Sequence, residues 1–91
     1  MIGIYKITSP SGKVYIGQSR NITKRITGYK NGSHKNQPKL HNSFNKYGFI
    51  NHKIDIIYEF LENVEQIILD RVEIFYIKFY KDLNISLNIS E

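Results

Sequence analysis

Gly3-Ile4-Tyr5-Lys6-Ile7-Thr8-Ser9-Pro10-Ser11-Gly12-Lys13-Val14-Tyr15-Ile16-Gly17 is the stretch whose reading decides the fold. Two short runs of β-branched and aromatic residues flank a Ser/Pro/Gly-rich turn, the pattern of a β-hairpin. Tyr5 and Tyr15 are an even number of residues apart. If the loop comprises Thr8 to Gly12, Tyr5 pairs directly opposite Tyr15 and both phenols share one face. A loop shorter by one residue would place them on opposite faces, because a one-residue slip flips every side chain. We expect the longer loop, and therefore adjacent phenols. Arg25 follows and brings a guanidinium behind them.

Beyond the hairpin, Asn21 reads as the N-cap of a helix from about Ile22 to Lys30, stopped by Asn31-Gly32. Arg25 and Tyr29 lie on one face of it. Residues 31–38 form a polar loop containing His34 and Lys35, and Pro38 opens a second helix that runs through Leu40 and Phe44 to Gly48. Residues 52–58 alternate Ile54, Ile56 and Tyr58 on one side and read as a third strand. Asn63-Val64-Glu65-Gln66 resembles a capping box opening a long helix from about Val64 to Tyr80. Its positions Val64, Ile67, Ile68, Val72, Phe75 and Phe79 recur at helical spacing and are expected to face the core. Residues 82–91 read as extended or irregular. The order β-β-α-α-β-α predicts an α+β fold, a small three-stranded antiparallel sheet flanked by about three helices.

The chain has 91 residues, enough for one domain with a core, and 41% are hydrophobic. Its net charge of +5 hides an asymmetry, since all 8 carboxylates lie at or after Asp55. The charged side chains of residues 1–54 are all basic, which favours a polyanionic partner. With 0 cysteines, disulfides and thiolate metal sites are excluded. No apolar run has the length of a membrane helix, and the N-terminus enters a strand too early for a signal peptide. These features suggest an intracellular protein.

Together, Gly3-Ile4-Tyr5, Tyr15-Ile16-Gly17, Arg25, Ser43-Phe44-Asn45-Lys46-Tyr47-Gly48, Glu73 on the long helix and Asn88 resemble the GIY-YIG nuclease superfamily, most nearly its phage-type and homing-endonuclease branch. The order and spacing of these elements across nearly the whole chain carry the resemblance. It implies the same architecture and a DNA endonuclease that depends on a divalent metal. Residues 1–91 then form a single nuclease domain, either freestanding or the N-terminal catalytic part of a longer protein. The isolated domain is expected to be a monomer, with dimerisation left open.

The resemblance also implies roles. Glu73, which by itself reads either as a solvated edge residue or as a carboxylate facing a cleft, becomes the ligand of one Mg2+ (or Mn2+) ion. One phenol acts as general base, preferably Tyr15, while Tyr5 orients water or phosphate. A free phenol titrates near about 10, so positive charge must favour its ionised form. Arg25 can do that and can also pair with a phosphate oxygen. Tyr29 and His34 join the set around the phosphate, and Asn88 either ties the C-terminal segment to the site floor or touches substrate. Gly3 and Gly17 would leave room beside the tyrosines for phosphate. Gln18 departs from the family, some of whose members carry lysine there. The competing reading is a non-catalytic nucleic-acid-binding module of the same fold, with a protein-interaction domain behind it.

Overall fold

The computed structural model describes residues 1–32 and 36–88; the expectation for His34 lies outside them. The expected element order is found. β1 (Ile2–Thr8) and β2 (Val14–Ser19) form the hairpin, followed by α1 (Ile22–Lys30), α2 (Pro38–Tyr47), a 3-10 turn at Phe49–Asn51, β3 (Lys53–Phe60) and α3 (Gln66–Asp82). The sheet is antiparallel with β1 in the centre, in the order β2-β1-β3.

The register of the hairpin differs from expectation in a way that keeps the phenols together. The ladder pairs Tyr5 with Gly17 and Ile7 with Tyr15. The ladder runs on past Thr8, because the Ser9 N–H donates to the Lys13 carbonyl (2.8 Å). A turn then closes through the Gly12 N–H and the Ser9 carbonyl (2.9 Å), with Gly12 at φ +85°. Pro10 suits the first inner position of this turn and glycine the left-handed one, so the chemistry of the turn sets the register. The slip from the expected pairing is an even number of residues. Tyr5 and Tyr15 are therefore diagonal neighbours on one face and not directly opposed.

Both faces of the sheet are covered. Tyr5, Ile7 and Tyr15 pack with Ile22 and Tyr29 of α1 and with Leu40 and Phe44 of α2. Ile4, Val14 and Ile16 pack on the opposite face against Leu69 of α3. Each such side chain contributes roughly 1.5–3 kcal/mol through burial. β1 is consequently apolar on both faces, as a central strand must be. β3 carries a bulge where its pairing shifts between Ile4 and Tyr5, which bends this otherwise unpaired edge.

α1 is capped by the Asn21 side chain, which accepts from the Lys24 N–H (3.1 Å). α2 begins at Pro38 and ends at Gly48, whose φ of +85° stops it. The expected cap of α3 is not the one formed. Glu65 is its N-cap and makes no side-chain cap bond. The amide of Gln66 is instead committed to Gln18 and Asp70. The expected core stripe of α3 also needs correction. Val64 and Val72 do pack inward, but Ile67, Ile68, Phe75 and Phe79 face outward. Leu69, Val72, Tyr76, Ile77 and Tyr80 form the inner face. Both stripes have helical spacing, and contact with β2 and β1 selects between them. Among the described residues, no helix is long and apolar enough to cross a membrane.

Candidate active site

Three phenols meet above the hairpin. The Tyr5 and Tyr29 hydroxyls are 2.5 Å apart, and the Tyr5–Tyr15, Tyr5–Tyr29 and Tyr15–Tyr29 ring centroids lie 6.3, 6.1 and 6.5 Å apart. Tyr29 is the hub of this cluster, since its ring meets both other phenols edge-on and its hydroxyl also interacts with Tyr15 and with the Arg25 guanidinium. The one-turn spacing of Arg25 and Tyr29 on α1 produces that contact.

Glycine at position 17 has a local cause. A Cβ there would lie 2.4 Å from both Cζ and Oη of Tyr5, its cross-strand partner. The space left by the missing side chain is filled by the Tyr5 ring. At Gly3 the same space holds the Tyr58 carbonyl oxygen, 2.3 Å from where a Cβ would be, beside the bulge.

Burial pushes both the Tyr5 and Tyr15 hydroxyls well above the ordinary phenol range. Neighbouring phenols add to the effect, and the positive charge of Arg25 opposes it. For Tyr15 the charge of Glu73 contributes as well. Arg25 itself is held up by its bond to Tyr29.

Glu73 approaches from the other side of the sheet. α3 crosses β2, the edge strand, and the Glu73 carboxylate accepts from the Gln18 side-chain amide (3.1 Å). Desolvation raises its pKa, the Asp70 charge adds to the rise, and the Gln18 bonds and Arg25 counter it. Tyr15, Arg25 and Glu73 thus lie within range of one another's charge around the edge of β2. Beside Arg25 opens a cavity of about 390 Å³ lined by Ser19, Asn21, Lys24, Arg25 and Gly28.

Asn88 completes the same edge. Its Oδ1 accepts from the Ile16 N–H (3.0 Å) and its Nδ2 donates to the Ile16 carbonyl (2.8 Å), so the side chain acts as a further strand residue. One step earlier along β2, the Val14 N–H donates to Ile85 (2.8 Å) and the Leu87 N–H to Val14 (2.7 Å). The outward N–H groups of Val14 and Ile16 are met in turn by the tail and by Asn88, and the Gln18 side chain next along the strand is met by Glu73.

Of the residues expected at the site, the fold brings Tyr5, Tyr15, Tyr29, Arg25 and Glu73 together and places Asn88 on the adjoining edge. Two features went unread in the sequence. One is the Gln18–Gln66–Asp70 network around Glu73, which the one-turn recurrence of polar residues beside Leu69 and Tyr76 signals. The other is a buried Ser43–His52 pair (2.7 Å), whose histidine also bonds the Gly48 carbonyl (2.8 Å) and ties α2 to β3.

The donor set can be tested against a divalent metal. Among the described residues no cluster of three or more His, Cys, Asp or Glu side chains exists, so a closed protein cage does not fit. A half-buried carboxylate without an ion-pair partner among the described residues does suit a hard cation. Mg2+ takes one or two carboxylates and fills its remaining positions with water and substrate phosphate.

Comparison with known proteins agrees with this geometry. Residues 1–86 match the GIY-YIG catalytic domain family. The fold is similar to the catalytic domain of the homing endonuclease I-TevI, with 27% identity, a TM-score of 0.79, and 100% of both chains covered. A mutant of the same intron endonuclease domain matches at 29% identity and a TM-score of 0.78, over 98% of this chain and 93% of that one. No curated protein matches by sequence.

Proposed function

Because this chain belongs to the GIY-YIG family of nuclease catalytic domains, we propose that it is a divalent-metal-dependent DNA endonuclease that hydrolyses phosphodiester bonds with one ion and a tyrosine base. One observation carries this reading: Tyr15 lies within reach of the charge of both the Arg25 guanidinium and the Glu73 carboxylate. A phosphate seated there would have both a cation and a carboxylate able to hold a metal within reach.

Arg25 pairs with a non-bridging oxygen of the phosphate and stabilises the charge that grows as the pentacoordinate transition state forms. Glu73 would hold one Mg2+ or Mn2+, and the bound ion supplies Lewis-acid stabilisation of the phosphate and a positive field beside Tyr15. Tyr15 accepts the proton of the attacking water. It is favoured over Tyr5 because the charge of Glu73 acts on it, whereas the Tyr5 hydroxyl is paired with that of Tyr29 at 2.5 Å. Burial keeps Tyr15 protonated at rest. The base form therefore arises when opposite charge is close, and Arg25 supplies part of that charge already. Tyr5 and Tyr29 hold the Tyr15 ring and the guanidinium in place. The wholly basic first half of the chain favours the DNA backbone, through contacts that carry no sequence information.

The test is nicking of supercoiled plasmid by the purified domain with Mg2+, compared with Glu73→Gln. Activity should need the metal and vanish in the variant while the melting transition persists. A Glu73→Gln protein that cuts as well as wild type overturns the reading.

A further inference from the structure

We propose that Gln18 is a positioning residue for Glu73, held in one orientation by Gln66 and Asp70, and that this amide network sets the affinity of Glu73 for its divalent ion. The inference rests on the proposed role of Glu73. Gln18 Nε2 donates to Asp70 Oδ1 (2.8 Å) and to Glu73 Oε1 (3.1 Å). Gln66 Nε2 donates to Gln18 Oε1 (2.7 Å) and to Asp70 Oδ1 (2.8 Å). Both hydrogens and the oxygen of the Gln18 amide are thereby used.

The network has one sense. An amide carries two donors at one end and an acceptor at the other. Rotating the Gln18 amide by half a turn would set its oxygen against two carboxylate oxygens and its NH2 against another NH2. The reversed arrangement replaces attraction with repulsion at every contact. The anchors are spread over separate elements, with Gln18 on β2 and Gln66, Asp70 and Glu73 on one side of α3. The network thus aims the Glu73 carboxylate relative to the strand that carries Tyr15. Groups that hold a metal-ligating side chain by hydrogen bonds fix its direction and its basicity, and their loss typically costs about 10–100-fold in metal affinity.

Gln66 touches Glu73 only through Gln18 and Asp70. Removing it frees the Gln18 oxygen but leaves both carboxylate bonds available, so its effect should be smaller. Once Gln18 is gone, deleting Gln66 should add little.

Mn2+ alone is titrated into the isotope-labelled domain, and the broadening of amide signals around Glu73 gives its affinity without any catalytic readout. Wild type, Glu73→Gln, Gln18→Leu, Gln66→Leu and the Gln18→Leu/Gln66→Leu double variant are compared. Gln18→Leu should need about 10–100-fold more Mn2+, Gln66→Leu severalfold more, and the double variant no more than Gln18→Leu. Gln66 is exposed, so its variant keeps the question answerable if Gln18→Leu fails to fold. Gln18→Leu or Gln66→Leu proteins that bind Mn2+ as wild type does, while Glu73→Gln does not, overturn the positioning role. Wild type and Glu73→Gln broadening alike overturn the role of Glu73 itself.

Discussion

Gly17→Ala offers the sharpest probe of the hairpin. The new methyl would sit 2.4 Å from Cζ and Oη and 2.8 Å from Cε1 of Tyr5. Carbon contacts settle near roughly 3.5–4.0 Å, so the Tyr5 ring must retreat by about 1 Å. It has little room to do so. Tyr5 is 0% exposed, hemmed in by the Tyr15 and Tyr29 rings. Overpacking of this kind costs about 1–3 kcal/mol, and displacing the Tyr5 hydroxyl from Tyr29 costs about 0.5–1.5 kcal/mol more. A total near 2–4 kcal/mol lowers the midpoint of a domain this size by about 8–32 °C. Thermal denaturation followed by circular dichroism measures it. The attribution to Tyr5 is tested by Tyr5→Leu in the Gly17→Ala background, where the shared contact should make the double variant at least about 1 kcal/mol better than additive. A Gly17→Ala protein that melts within about 2 °C of wild type refutes the steric reasoning.

Other expectations follow from the same contacts. Tyr5 and Tyr15 have folded pKa values raised above the unfolded phenol value, so their contribution to stability is complete below about pH 10 and lost as pH rises beyond it. Alkaline denaturation should steepen by up to about 1.4 kcal/mol per pH unit for each phenol that must stay protonated, and Tyr5→Phe should remove one share. Glu73 also has a raised folded pKa, so its contribution is complete below about pH 4.5 and is lost as pH climbs through the folded value. Glu73→Gln should therefore melt higher than wild type at neutral pH, with the difference closing in acid. Asn88→Ala removes two bonds to Ile16 and should cost about 1–3 kcal/mol, with faster hydrogen exchange at the Ile16 amide.

Much of the fold was legible because local chemistry and tertiary structure agree. Pro10 and Gly12 make the turn, Asn21 caps α1, and Pro38 and Gly48 bound α2. Legibility stopped where one local pattern allowed two outcomes. α3 carries two apolar stripes at helical spacing, and the stripe chosen from sequence mostly faces outward. Asn63 and Gln66 fit a capping box, yet Gln66 bonds across the molecule to Gln18.

The site divides along the same line. The proximity of Tyr5 and Tyr15 was readable, since two tyrosines at even spacing on a hairpin share a face in any register that differs by an even slip. Arg25 and Tyr29, one helical turn apart, likewise meet by local geometry alone. What the sequence by itself could not determine was how far Tyr5 is offset from Tyr15, or that the space at Gly17 belongs to the Tyr5 ring. Nor could it show that Glu73, on α3, bonds Gln18 of β2 and comes within reach of Tyr15 by its charge. Side-chain parity and helical periodicity are properties of one element and are written in spacing. The meeting of β2, α1 and α3 at one edge depends on how separate elements bury their apolar faces together, and only the packed structure decides that.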